Sequence, residues 1–290
     1  MSDEQSPTIR VATWNLWGRN GDHERRLPAI VETLRAIDAD VVMLQESWAM
    51  QDGFCQPEYL AEQLGSYSSA WAHGPWFSGF WLGNSLLSRW PIARTQIHRL
   101  PRLDNGDPMY RHVTLAHLET PWGLWPFAST HFEHPFDGSR HRMLHAESLL
   151  HFVKSVRADP ACRLPVVLGG DLNAVPDSDE IRMLTGRMPG VPGVVFSDVW
   201  EHVGPGGRFG AEGMTWRSDN PNTDDSSWPN RRLDYVLVSH PRKKPAGAAR
   251  RAWLAGTEAV NGVYPSDHTA VVAELAVPRA ESSAGAGSAP

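Results

Sequence analysis

Little in this chain marks it as secreted, membrane-spanning or built to coat nucleic acid. Only two cysteines occur in 290 residues, Cys55 and Cys162, far apart and in no ligand spacing. That excludes a disulfide scaffold and a cysteine-rich zinc module, and it points to a reducing compartment. No apolar run approaches the roughly 20 residues of a membrane-spanning helix. The opening MSDEQSPTIR has no apolar core for a secretion signal, so a cytoplasmic location is expected. Positive charge is scarce as well: 27 Lys and Arg face 33 Asp and Glu, a net charge of −6. No global field therefore draws long nucleic acid, although local phosphate contacts stay open. No repeat or linker divides the chain. Three chemistries lack their motifs: there is no GxSxG, no GxxxxGK[ST] and no HExxH. His141 and His145 stand i, i+4 in HRMLH, but without the glutamate or a third ligand they read as a solvated histidine face.

What the chain does have is the material of one large soluble domain, 41% hydrophobic and 21% charged. We place this domain at residues 8–278, between a polar tail at 1–7 and a small-residue tail at 279–290, both expected to be disordered. Strands are expected at Ile9 to Trp14, Asp40 to Glu46, Asn84 to Arg89, Arg111 to Glu119, Leu124 to Thr130, the VVLGGD run from Val166, Arg232 to Ser239, Trp253 to Val260 and Thr269 to Leu275. Helical spacing marks Arg25 to Ile37 and Ser139 to Val156, with a short helix near Ser178 to Leu184. Strands and helices alternate only in part, so mixed sheets are expected.

Polar residues recur at the ends of these strands: Asn15, Glu46, His131, Asp171 with Asn173, Asp234, and Asp267 with His268. One alone reads as a turn former. Six segments that all end this way converge on one site once the sheets pack face to face.

The segments TWN (13–15), LQE (44–46), GNSLLSRWPI (83–92), THFEH (130–134), GGDLN (169–173), RLDYVLVS (232–239) and SDH (266–268) resemble, in order, the motifs of the endonuclease/exonuclease/phosphatase superfamily. That group includes apurinic-site endonucleases, pancreatic-type deoxyribonucleases, sphingomyelinases, inositol polyphosphate 5-phosphatases and tyrosyl-DNA phosphodiesterases of the second type. The resemblance covers nearly the whole chain. It implies an α/β fold, a four-layered α/β sandwich of two packed mixed β-sheets flanked by helices. It also implies phosphoester hydrolysis by water with Mg²⁺, or Mn²⁺ in its place. On this resemblance Glu46 is the principal metal ligand, with Asn15 and Asp267 beside it. Asp171 orients and deprotonates the water, and Asn173 holds water or phosphate. His268 bonds a phosphate oxygen and is oriented by Asp234, while His131 and Arg111 face the phosphate from the other side. The chemistry agrees with the residue types. A phosphoester anion repels nucleophiles, so its hydrolysis needs a cation on the non-bridging oxygens and a base for water.

The thirteen tryptophans divide into two sets. Trp14, Trp200, Trp216 and Trp253 are expected in the core. The stretch from Trp71 to Gly83 reads as an aromatic loop, either a satellite cluster or a wall of the site. The one basic concentration, residues 240–251, reads as a solvated hairpin tip with the option of gripping a phosphate backbone. Substrate choice is expected in the loops 54–83, 102–109 and 204–230. The leading expectation is a phosphodiesterase or phosphatase acting on a small or terminal phosphoester, with no obligate protein partner. A nuclease or DNA-end-processing enzyme comes second, and a catalytically inactive binding module is less favoured.

Overall fold

The computed structural model describes residues 7–65, 67–103, 111–223 and 228–279. Apart from Pro7 and Arg279, the two expected tails lie outside these residues, as does most of the 102–109 loop.

Two six-stranded sheets pack face to face. The first holds β1 (Thr8–Asn15), β2 (Val41–Ala49), β3 (Ser68–Phe77), β4 (Phe80–Ser88), β11 (Ala249–Ala255) and β12 (Ala270–Ala276), in the order β11-β12-β1-β2-β4-β3. The second holds β5 (Ile92–Arg99), β6 (His112–Thr120), β7 (Gly123–His131), β8 (Val167–Asp171), β9 (Val195–Asp198) and β10 (Asp234–His240), in the order β5-β6-β7-β8-β10-β9. Each sheet has one parallel pair, β1 with β2 and β7 with β8. A parallel pair needs a crossover. Here α1 (His23–Ile37) and α3 (Ser139–Ala158) supply it, and α2 (Gln56–Gln63), α4 (Asp179–Leu184) and α5 (Val199–Val203) complete the helices.

Three apolar layers separate the four structural ones. Ile9, Val11, Met43, Val271, Phe127, Val167 and Val236 fill the space between the sheets. Trp14, Ile30, Leu34 and Leu60 lie between the first sheet and its helices, and Leu115, Leu149, Val153 and Leu168 between the second sheet and its own. The expected four-layered sandwich is the observed one. The glycines of GGDLN belong to it: a Cβ on Gly169 would sit 2.7 Å from the Met43 side chain, so a bare backbone lets the sheets approach there.

Several elements depart from the expectation. The aromatic stretch 71–83 is a hairpin, β3 with β4, closed by Ser78-Gly79 with both residues at positive φ. Such a two-residue turn matches strand twist, and tryptophan favours strands, whereas the sequence reading gave its glycines the weight of a loop. The strands β5 and β9 and the helices α2 and α5 were not expected. β11 ends at Ala255 instead of starting at Trp253. The basic run is therefore no hairpin tip, because Arg250 and Arg251 lie within β11 and residues 241–248 cross from one sheet to the other. Trp14 and Trp200 are buried, but Trp216 and Trp253 are only partly covered. His145 is buried too, with Nε2 bonded to Pro101 O (3.0 Å), so HRMLH is not a solvated face.

Candidate active site

The strand ends supply the site. Asn15 ends β1, His131 ends β7, Asp171 ends β8 and Asp234 begins β10. Parallel β7 and β8 set His131 beside Asp171, and antiparallel β10 sets Asp234 on the other side of Asp171. Glu46 arrives by a different device. The β2–β4 register shifts between Leu44 and Ser47, and Glu46 adopts φ 55°. Such a bulge breaks the strict alternation of a strand and re-aims a side chain. Gln45 accordingly points between the sheets, bonding Ser129 Oγ (3.0 Å), while Glu46 lines the cleft. Asn173 is also left-handed, at φ 49°. Two strained non-glycine residues at one site are a familiar mark of function.

Of the nine expected site residues, eight line one cleft of about 460 Å³: Asn15, Glu46, Arg111, His131, Asp171, Asn173, Asp267 and His268. Asp234 stands behind it, with Oδ2 2.7 Å from His268 Nδ1. His268 Nε2 then faces Asp171 Oδ2 at 3.7 Å. Asp171 accepts from Asn15 Nδ2 (2.9 Å) and from the Asn173 backbone N–H (2.9 Å). Asn15 also reaches Glu46 Oε1 (3.3 Å), so one amide ties two acids from different sheets. Asn173 Nδ2 lies 3.0 Å from His131 Nε2 and donates to Phe132 O (3.2 Å). Arg111 Nη1 approaches His131 Nδ1 at 3.0 Å.

The charges divide into acid and base roles. Burial would lower His268, but Asp234, Asp267 and Asp171 outweigh it and raise its pKa well above the usual value, so the ring is cationic. His131 is driven the other way by burial and by Arg111, and stays neutral. Burial and Asp234 lift Asp171 to about 6, against His268 and the Asn15 hydrogen bond. Burial lifts Asp267 to about 7, with Glu46 and Asp171 adding to it against His268. Carboxyls tuned toward neutrality suit proton transfer at physiological pH.

Two donor sets compete for a metal. Asp171, Asp234 and His268 offer ligand atoms within 4.8 Å of one another, and this buried cluster is the tightest among the described residues. Its histidine is already bonded to Asp234 and cationic, so a proton fills that place. Glu46 and Asp267 present two carboxylates to the open cleft, and Glu46 makes Asp267 costlier to ionise. A hard divalent cation prefers few carboxylates and retains water, and this second set with Asn15 fits it.

Sequence reasoning missed Arg26. It is buried and donates to Leu16 O (2.8 Å), Gly18 O (2.8 Å), Asn20 O (2.9 Å) and Pro265 O (2.9 Å), which clamps the loop after Asn15 to the segment before Asp267. An arginine in an amphipathic helix ordinarily reads as surface, so no signal in the sequence marked it. Phe136 and Trp216 were missed as cleft lining too; Phe136 lies against Trp228, both exposed, with Arg231 stacked over the two rings.

The described helices include none long and apolar enough to cross a membrane. Among relatives, the chain is 27% identical over 309 residues to an inositol phosphosphingolipids phospholipase C of Schizosaccharomyces pombe, covering 96% of this chain and 70% of that one. Its fold matches truncated TDP2 of Caenorhabditis elegans, with a TM-score of 0.69 and 19% identity over 93% of this chain and 98% of that one. It also matches a mannosyl-6-phosphatase of Bacteroides thetaiotaomicron, with a TM-score of 0.69 and 19% identity over 92% and 99%. The model of the Endonuclease/Exonuclease/phosphatase family matches residues 12–268, and on that match the chain belongs to this family of metal-dependent phosphoester hydrolases.

Proposed function

We propose that this chain hydrolyses a small or terminal phosphoester in the cytoplasm, by attack of a water activated at Asp171. The observation that carries this reading is the chain of contacts from Asp234 through His268 to Asp171 and Asn15, assembled at the floor of one cleft. Glu46, with Asn15 and Asp267, would hold the divalent ion, Mg²⁺ or Mn²⁺. When bound, that ion supplies charge neutralisation on the phosphate oxygens. Asp171 takes the proton of the attacking water. Its orientation is fixed by the Asn15 amide and the Asn173 N–H. His268, held by Asp234, donates from Nε2 to a phosphate oxygen as charge builds there. Arg111 offers a second cation, and Asn173 and neutral His131 complete the polar wall.

Residues 240–251 bear on the choice of substrate. β10 runs seven residues from Asp234 to His240, roughly 20 Å. The basic run therefore begins at the far end of the strand whose near end is in the site. That weakens the nuclease reading, because these cations do not border the cleft. A second reading, a phosphodiester with a large apolar alcohol, is favoured by the exposed Phe136 and Trp228 at the rim and by the sphingolipid relative.

The test is Mg²⁺-dependent turnover by wild type and Asp171→Asn on bis(p-nitrophenyl) phosphate, p-nitrophenyl phosphate, single- and double-stranded DNA, a 5′-tyrosyl oligonucleotide, inositol phosphates and sphingomyelin vesicles. Turnover of small esters, lost in the variant, is expected. Exclusive cleavage of DNA or of vesicle lipid would replace the substrate assignment. Normal turnover by Asp171→Asn would remove Asp171 as the base. Glu46→Gln should shift the Mg²⁺ titration to higher concentration, and an unchanged titration would remove Glu46 as a ligand.

A further inference from the structure

The basic run does not serve the hydrolytic cleft, yet its cations are gathered around a concavity of their own. Arg242, Lys244, Arg250, Arg279 and His202 border a cleft of about 350 Å³ with no carboxylate in its lining among the described residues. Arg242 also borders a neighbouring cleft of about 390 Å³ with Arg157 and Arg163. The one acid there, Asp159, is engaged by Arg94. The turn that presents these groups is held in place. Arg157 Nη1 donates to His240 O (2.6 Å) and Nη2 to Pro241 O, and Arg242 Nη1 donates to Ala246 O (2.9 Å).

We propose that the paired clefts around Arg242 form a second binding site, separate from the hydrolytic one, for a soluble oligophosphate anion. Cations gathered this closely repel one another. Arg242 is lowered by burial and by Arg250, and His240 by burial and then by Arg242, Arg157 and Lys244. Among the described residues, Arg242, Lys244 and Arg163 form no ion pair with an acid. In a chain with net charge −6, such a cluster is stabilised by an anion that bridges its members. The occupant is elongated, because the lining continues through Arg242 from one cleft to the next. It is not single-stranded nucleic acid, since among the described residues neither cleft offers a Phe, Tyr or Trp on which bases stack. Nor is it a bilayer that the hydrolytic cleft also faces, because the two sites lie at opposite ends of β10.

Inorganic tripolyphosphate is the probe, titrated calorimetrically into the full chain in metal-free buffer. Lys244 and Arg279 are exposed, so Lys244→Glu with Arg279→Glu leaves the turn intact; Arg242→Gln is the second variant, and circular dichroism verifies folding. One equivalent should bind to wild type, and binding should weaken steeply from about 50 to about 200 mM salt. The charge-reversed pair should lose at least tenfold in affinity, and Arg111→Ala none. Equal affinity in the charge-reversed pair, or loss in Arg111→Ala alone, would overturn the proposal by placing the anion elsewhere. So would binding of single-stranded DNA or phosphatidylserine vesicles without tripolyphosphate. The outcome is independent of the hydrolytic reading, because turnover of a small phosphodiester without added anion should be unchanged in the charge-reversed pair.

Discussion

The two sheets carry the same strand order and do different chemistry. In each, a parallel pair is joined by a crossover helix, and in each the fourth residue of that helix is a buried arginine. Arg26 of α1 donates to carbonyls of the loop after β1, and Arg142 of α3 to Glu133 O (3.2 Å) and Pro135 O (2.6 Å) of the loop after β7. The difference is the counter-charge. Arg142 has Glu180 beside it, Nε to Oε1 at 2.6 Å. Among the described residues Arg26 has no such partner; burial lowers it to about 10, and the acids that counter this are Asp267, Glu46 and Asp22. One half of the molecule neutralises its clamp internally. The other leans on the acids of the site, so stability and chemistry are linked in the first sheet and separated in the second.

The largest test of that contrast is Asp171→Asn, which should lower kcat by about 10³-fold or more, roughly 4 kcal/mol, with the thermal transition intact. A variant that loses its fold instead would show that the second sheet also depends on its site acid. Next comes Glu180→Ala, which leaves Arg142 buried without its acid and should cost about 3–5 kcal/mol in urea unfolding. Turnover per folded molecule should hold, whereas Arg26→Ala should lower both stability and turnover. Equal losses of turnover in the two variants would erase the distinction. Gly169→Ala should cost about 1–3 kcal/mol, since the new methyl meets Met43; a neutral result would mean that the sheets yield easily there.

The smallest effect concerns pH. Burial and His141 lower His145 to about 3, below its unfolded value near 6.5. The folded state therefore disfavours the protonated ring. The stability this confers is complete above about pH 6.5 and is lost as pH falls toward 3. His145→Leu should flatten that part of the curve, read as urea midpoints at pH 7 and about pH 4.5; parallel curves would exclude His145 as a source of acid lability.

What the sequence disclosed followed from chemistry that leaves few substitutes. Asn15, Glu46, Asp171, Asp234 and His268 stood out because polar side chains at the ends of apolar runs are costly without a use. The four layers followed from the resemblance those residues carried. The hairpin of β3 and β4 was hidden because Gly74, Gly79 and Gly83 resemble a loop, and only pairing in the sheet shows their strands. The start of β11 was obscured by Arg250 and Arg251, whose charges masked the alternation. Arg26 and His145 were illegible in principle: their burial depends on carbonyls supplied by distant segments, Pro265 in one case and Pro101 in the other.

The hydrogen bond from Asn15 to Asp171 crosses from one sheet to the other at 2.9 Å, near the clasp of Gln45, the strand partner of Asn15, on Ser129. The thickness of the apolar filling is therefore also the tolerance to which these two side chains are set. Met43 seated on bare Gly169, two residues from Asp171, acts as the gauge. Any change in the core large enough to part the sheets by a fraction of an ångström is delivered to the spacing of Asn15 and Asp171.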